Sequence, residues 1–135
     1  MQWNDIYKTG IESIDEQHKG LFAAIGSFQK AVNEGKGTEH AGETLKMVVD
    51  YTQHHFSDEE LIMSKSAFTD LRRHTILHKN IIKEIKATLL SIKKKKEFDT
   101  AAFSSFLSKW LTNHILTEDM KLASHIEKKR SEGVF

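Results

Sequence analysis

The residues of this chain best suited to chemistry are histidines and carboxylates placed at helical spacing. His55 and Glu59 stand four residues apart in a segment typical of an α-helix, so both side chains lie on one helix face. Val48 and Phe56 share that face, which makes it the face expected to point into a core. A carboxylate in a core is unfavourable unless it is paired or binds a metal. The pattern therefore predicts a cationic partner for Glu59.

Three further segments place polar side chains at core positions. His18 occurs among apolar residues spaced three and four apart, the seam of a bundled helix. His74 and His78 stand one turn apart in a third series of this kind, and His114 belongs to a fourth. Asp119 follows His114 by five residues, a rotation of roughly 140° along an undistorted helix. It reaches the same point only if the helix loosens, for example through a π-type turn, and otherwise it points elsewhere.

Together these side chains indicate a metal centre. A single core histidine is commonly a hydrogen-bonded structural residue, but five histidines and two carboxylates without a metal would leave many polar groups unpaired. They exceed the four ligands of a tetrahedral zinc ion, whereas magnesium and calcium prefer oxygen ligands. Two metal ions bridged by both carboxylates and by an oxide or hydroxide would leave one coordination position open. Iron is the preferred metal, and manganese, zinc or cobalt could occupy the site in a purified sample.

The composition excludes several other classes of function. The chain of 135 residues has no cysteine, which excludes disulfides, thiolate metal sites, iron–sulfur clusters and cysteine nucleophiles. The formal net charge of +1 gives no field that would attract nucleic acid or an anionic membrane. Neither a signal peptide nor a membrane span is expected. We therefore expect a single domain over residues 1–135 that acts in the cytoplasm, with no nucleic acid or membrane as a partner.

Helices must position these ligands, because no segment alternates in the pattern of a β-strand. The apolar periodicity predicts four helices, at about 14–33, 38–64, 71–93 and from 99 onward, with regular structure ending near residue 129. Short connections make successive helices antiparallel neighbours. We predict an all-α, up-down-up-down four-helix bundle with an extended N-terminal arm. Ser13 and Glu16 match a capping box for the first helix, and Gly26 within that helix predicts a close approach of another helix, with a tunnel opening as the alternative.

Four motifs resemble those of the bacterial hemerythrins, which are oxygen-binding, non-haem di-iron four-helix bundles. They occur in order and span nearly the whole chain: DEQH at Asp15–His18, HFSDEE at His55–Glu60, HTILH at His74–His78 and WLTNHILTED at Trp110–Asp119. The one departure is the connection at 65–69, where relatives often carry glycine or proline. It is expected to alter the loop and to leave the site unchanged.

The resemblance implies two groups of iron ligands. One iron would be held by three histidines, His74, His78 and His114. The other iron would be held by His18 and His55. Two carboxylates, Glu59 and Asp119, would bridge the pair. O2 would bind end-on at the iron with two histidines, and the five-residue spacing would be a distorted helix. Four apolar residues are candidate walls of an O2 pocket, although each is equally suited to ordinary core packing: Ile25, Phe56, Trp110 and Leu111.

Three functions remain open from the sequence. The first is reversible O2 binding for storage, transport or delivery, with an unidentified oxygen-consuming client protein as a possible partner. The second is a redox enzyme: a peroxidase, a nitric-oxide or nitrite reductase, or a ferroxidase. The third is an oxygen or redox sensor that acts through a separate partner. The chain lacks the Glu-x-x-His pairs of other di-iron bundles, which favours the first function. Three histidines are expected at the surface: His40, His54 and His125.

Overall fold

A computed structural model describes residues 1–35, 37–94 and 99–134, and helices account for nearly all of them. The α-helices are α1 at Glu12–Asn33, α2 at Gly37–Lys65, α3 at Leu71–Lys93, α4 at Thr100–His114 and α5 at Met120–Ser131. A 3-10 turn at Asp5–Tyr7 precedes α1, and a π-helical segment at Ile115–Asp119 joins α4 to α5 without a break. The described residues contain no strand, and none of their helices has the length and apolar character needed to cross a membrane.

Contacts between side chains show that successive helices are antiparallel. Gln17, near the start of α1, hydrogen-bonds to Asp58, near the end of α2. Glu60, in the last turns of α2, contacts His78 in the first half of α3. His78 in turn lies beside His114 at the end of α4. Because α4, the π-helical segment and α5 form one continuous fourth helix, the chain is an all-α, up-down-up-down bundle of four helices, as predicted.

The N-terminal arm packs along the bundle and is extended only in part. Its 3-10 turn is capped by Asn4, whose side chain accepts a hydrogen bond from the backbone N–H of Ile6. Trp3 and Tyr7 are partly buried against the core. The ammonium of Lys19 lies 4.7 Å from the centre of the Trp3 ring, in cation–π contact. The arm therefore covers one face of α1.

The capping box expected at Ser13 and Glu16 does not form, because α1 begins earlier. The helix is entered directly after Ile11, which makes no side-chain capping bond. Asp15 instead turns back to the arm, where one carboxylate oxygen accepts from the backbone N–H and the hydroxyl of Thr9, each at 2.8 Å. This bond fixes the direction in which the chain enters the helix.

Two apolar layers enclose a polar layer inside the bundle. Along α1, the buried residues change from Ile14 to His18 and then to Leu21. Ile14 belongs to a smaller apolar cluster that also contains Met63, and Leu21 belongs to the main core. Glu59 lies one turn before Met63 and is fully buried. The histidines and carboxylates therefore lie between apolar layers that exclude water from both sides.

The close helix approach expected at Gly26 occurs at Gly20 instead. A Cβ atom built on Gly20 would lie 1.9 Å from the hydroxyl oxygen of Tyr51 in α2. At Gly26 the nearest atom would be the backbone oxygen of Met1, at an ordinary 3.9 Å. Gly20 therefore leaves room for the Tyr51 side chain of α2 against α1, and Gly26 meets no such side chain.

The connection between α2 and α3 begins with a helix-terminating Schellman turn. Ala67 adopts a left-handed φ of 56°, and the N–H of Phe68 donates to the carbonyl of Met63 at 2.9 Å. His125 in α5 contacts the carbonyl of Ser66 at 2.7 Å through its Nε2. His125 is therefore partly buried, less exposed than the surface position predicted for it.

Candidate metal centre

Five buried side chains converge on one point in the polar layer: Glu59, His74, His78, His114 and Asp119. Their nearest nitrogen and oxygen atoms all lie within 4.8 Å of one another, a spacing that could hold a metal ion. Nε2 of His74 lies 3.0 Å from Oε1 of Glu59 and 3.1 Å from Oδ1 of Asp119. Nε2 of His78 lies 3.3 Å from the same glutamate oxygen, and Nε2 of His114 lies 3.2 Å from the same aspartate oxygen.

A second group uses the other oxygens of the same two carboxylates. Nε2 of His18 lies 3.0 Å from Oδ2 of Asp119 and 3.8 Å from Oε2 of Glu59. Nε2 of His55 lies 3.3 Å from Oε2 of Glu59. These four side chains form a second set that could hold a metal ion. Each carboxylate therefore presents one oxygen to the three-histidine group and one to the two-histidine group, the arrangement of a bridging ligand.

The π-helical segment brings Asp119 to this point. The backbone N–H of Met120 donates to the carbonyl of Ile115, a bond that spans five residues instead of four. This wider turn places residues five apart on one face, so Asp119 and His114 point inward together. Of the two alternatives that the sequence leaves open for Asp119, the structure adopts the loosened helix.

The seven side chains are better suited to binding metal than to satisfying one another's hydrogen bonds. All are 5% exposed or less. Although imidazole nitrogens and carboxylate oxygens lie as close as 3.0 Å, several of these atoms make no hydrogen bond of acceptable geometry, including both carboxylate oxygens of Glu59 and both ring nitrogens of His18. Native proteins leave few buried polar atoms in that state. Five imidazoles and two carboxylates are a donor set suited to first-row transition metals such as iron.

In the metal-free chain, this centre is a network of opposite charges. Burial alone would raise the pKa of Glu59, but the four imidazoles around it hold that pKa well below its ordinary value. Burial and the charge of Glu59 would raise the pKa of Asp119 as well. The opposing effect of His114 and His18 is larger, so the pKa of Asp119 lies below its ordinary value. Burial lowers the pKa of His18, and the carboxylates beside it reverse this effect and raise the pKa to about 9. Because a histidine binds a metal only through an unprotonated nitrogen, metal ions bound here would displace the proton from His18.

Two polar side chains orient the histidines from outside the centre, and sequence reasoning missed both. Nδ1 of His55 donates to Oε1 of Gln17 at 2.7 Å, and the Gln17 amide donates to Asp58 at 2.7 Å. Nδ1 of His78 donates to Oε2 of Glu60 at 2.8 Å. Each bond leaves the Nε2 lone pair free to face the centre. Their only sequence signal is that Gln17 and Glu60 each lie next to a predicted ligand.

A small enclosed cavity adjoins the centre. Ten of the described residues line its wall, and Thr52 is the only polar residue among them. All four candidate pocket residues are included: Ile25, Phe56, Trp110 and Leu111. The volume of the cavity is about 10 Å³, roughly the minimum that admits one water-sized molecule. Two of its wall residues stack on candidate ligands: the ring of Phe56 lies 3.6 Å from that of His78, and the ring of Trp110 lies 4.5 Å from that of His114.

The remaining histidines lie outside the centre. His40 and His54 are exposed, as the sequence predicts, and His54 pairs with Asp58 at 3.4 Å. His54 directly precedes His55, which is 1% exposed. The helix face, and not the residue type, therefore separates the two.

Comparison with known proteins agrees with this geometry. Residues 9–126 match the family model described as the hemerythrin HHE cation binding domain. A bacteriohemerythrin of Pseudomonas aeruginosa is 31% identical over 134 residues, which cover 98% of this chain and 85% of that protein. A myohemerythrin of Theromyzon tessulatum is 28% identical, covering 89% and 88% of the two chains. The crystal structure of a wild-type hemerythrin superposes with a TM-score of 0.85 at 23% identity, covering 92% of this chain and 95% of that chain.

Proposed function

We propose, from the premise that this chain belongs to the hemerythrin HHE cation-binding family, that it binds O2 reversibly at two non-haem irons. The role would be storage, transport or delivery of oxygen. The single observation that carries this proposal is the asymmetry of the centre. Two carboxylates are shared by a group with three histidines and a group with two, so the second group has one ligand fewer. An apolar cavity suited to a small neutral molecule lies beside the centre, where its walls Phe56 and Trp110 stack on His78 and His114.

In this proposal, the protein ligands determine where a small molecule can bind. Glu59 and Asp119 would bridge the metals and fix their separation. The three histidines beside them would complete one coordination sphere and close it to exogenous ligands. His18 and His55 would leave a position free on the other metal. Two ferrous ions, when bound there, supply the electrons that hold O2 as a ligand.

The cavity residues would preserve reversibility by excluding water. Ile25 and Leu111 contribute aliphatic side chains that are 2% and 3% exposed, and Phe56 closes the wall at 5%. With Thr52 as the one polar residue among those that line it, this wall would offer protons and water few hydrogen-bonding partners near the metals. O2, which is neutral and apolar, tolerates that lining. These features favour an oxygen-binding protein over an enzyme that must exchange substrates and protons.

The test is a cycle of reduction, oxygenation and degassing. Iron-loaded protein is reduced without air, exposed to O2 and then degassed, while its visible absorption is followed. We expect an absorption band that appears with O2 and disappears on degassing. A one-way passage to the oxidised protein, with turnover of added peroxide, nitrite or nitric oxide, would contradict a carrier and indicate a redox enzyme.

Adjacent histidines give this experiment a matched pair of variants. His54→Ala removes an exposed side chain, and we expect it to keep two irons per chain and the full cycle. His55→Ala removes a buried candidate ligand, and we expect it to lose iron from the two-histidine group and to lose O2 binding. Equal behaviour of the two variants would contradict the assignment of His55.

A further inference from the structure

Single aromatic rings separate the enclosed cavity from the surface at two places. Phe56 lines the cavity and also a groove of about 440 Å³ between α2 and α3, whose other walls include Gln53, Ser57 and Ile82. This is called the α2–α3 groove below. Trp110 lines the cavity and also a second groove of about 440 Å³ between α3 and α4. Among the residues that the structure describes, no other one lines both the cavity and either groove.

Both rings are stacked on histidines of the three-histidine group, but the two histidines differ in what else holds them. The ring of Phe56 lies nearly parallel to that of His78, at an angle of 3°, and the ring of Trp110 lies at 11° to that of His114. His78 is also held by the bond from its Nδ1 to Glu60 at 2.8 Å. The hydrogen-bond contacts of His114 run through its Nε2 to His74 and His78, at 3.1 and 3.2 Å.

This difference determines which ring can move without disturbing the metal centre. If Phe56 turns away, Glu60 still fixes the orientation of His78. If Trp110 turns away, His114 loses the contact that orients its ring. The α2–α3 groove has room for the displaced phenyl ring, and Ile82 offers it an apolar surface. The wall formed by Trp110 is therefore the fixed one.

We propose that Phe56 is the entry residue of the cavity: its ring swings into the α2–α3 groove and admits O2 from that side. The inference rests on the proposed function, because it concerns how O2 reaches the same centre. An entry residue limits passage in both directions equally. Replacing it with a smaller side chain speeds both binding and release. Phe56 also lines the cavity, so the criterion is the association rate, which a residue that only contacts bound O2 would leave unchanged.

The test replaces Phe56 by a smaller apolar side chain and compares it with the same change elsewhere. Phe56→Leu removes the stacked ring and keeps the wall apolar. Phe28→Leu is the matched control, because Phe28 is fully buried against Phe103 and lines neither the cavity nor the groove. Stopped-flow absorption of the iron-loaded proteins gives the association and dissociation rate constants of O2. In Phe56→Leu we expect both to rise roughly tenfold, the order set by breaking one ring stack.

A second measurement needs no bound O2 and no iron. Quenching of tryptophan fluorescence by dissolved O2 is recorded for zinc-loaded protein that carries Trp3→Phe, so that Trp110 is the remaining tryptophan. Trp110 lines the cavity, so its quenching rate reports entry of O2, while quenching from the α3–α4 side is common to all variants. We expect faster quenching with Phe56→Leu and an unchanged rate with Phe28→Leu.

The outcomes separate this inference from the proposed function. Unchanged O2 rate constants and unchanged quenching in Phe56→Leu would overturn the entry role while leaving reversible binding intact. A changed affinity at an unchanged association rate would also overturn it, because Phe56 would then be a contact residue. Faster quenching in a protein that never binds O2 reversibly would support the entry role and contradict the proposed function.

Discussion

Removing the orienting bond from Gln17 to His55 should weaken one half of the metal centre and spare the other. Nδ1 of His55 donates to Oε1 of Gln17 at 2.7 Å, which leaves Nε2 free for a metal. Without that acceptor, nothing fixes the tautomer or the ring of His55. Loss of such an orienting partner typically lowers metal affinity by about 10–100-fold, or about 1.4–2.7 kcal/mol.

The partial burial of the hydrogen bond between Gln17 and His55 determines how large the loss of metal affinity is within that range. His55 is 1% exposed, whereas the bond to Gln17 is only partly buried. In Gln17→Ala, water can enter the vacated space and accept the hydrogen bond, so we expect a loss near tenfold. In Gln17→Leu the side chain fills that space and excludes water, so we expect a loss nearer to a hundredfold.

The assay is a titration of metal-free protein with zinc or ferrous iron against a competing chelator, which resolves two affinities. We expect only the weaker of the two metal affinities to fall. The fall should be larger in Gln17→Leu than in Gln17→Ala. Glu16→Leu is the control, because the neighbouring Glu16 makes only an exposed ion pair with Lys19. An equal fall in both affinities, or no fall in either, would refute the role given to Gln17.

Three further predictions concern stability. Gly20→Ala should lose about 1–2 kcal/mol in denaturant unfolding, because its Cβ meets Tyr51, whereas Gly26→Ala should gain about 0.5–1 kcal/mol; equal effects would contradict the close approach. Ala67→Gly should raise stability by about 1 kcal/mol, since Ala67 has a φ of 56°, and no gain would contradict that backbone. In chelator-treated protein, the protonated imidazole of His18 should stabilise the fold fully below its ordinary pKa of 6.5, and this contribution should be lost as the pH rises through about 9. Thermal unfolding measured across that pH window should show the decline in stability. A rise in stability would contradict the prediction.

The sequence predicts the bundle and most of the centre because helical periodicity determines which side chains share a face. His18 and His55 interrupt apolar stripes, and a stripe has only one inward direction in a bundle. The same periodicity leaves Asp119 undecided, because it assumes a regular helix. The π-helical segment depends on how the fourth helix packs, and no spacing rule encodes it. The structure resolves that question by bringing Asp119 beside His114.

The details that the sequence does not predict depend on contacts between helices. Gln17 and Glu60 reach histidines on neighbouring helices, and such bonds depend on the axial offset between helices. A residue's own helix face carries no information about that offset. The same holds for Gly20, whose role depends on the position of Tyr51 in α2. Asp15 likewise binds the arm at Thr9, a contact that competes with the capping box read from local spacing.

The most direct test of the account counts iron and O2 on one sample. Iron is measured per chain in the purified, iron-loaded protein, and the O2 taken up after anaerobic reduction and released on degassing is measured on the same material. Two ligand groups that share both carboxylates predict two irons and one releasable O2 per chain. One iron per chain would contradict the bridged pair. Two irons with O2 consumed and not released would contradict reversible binding.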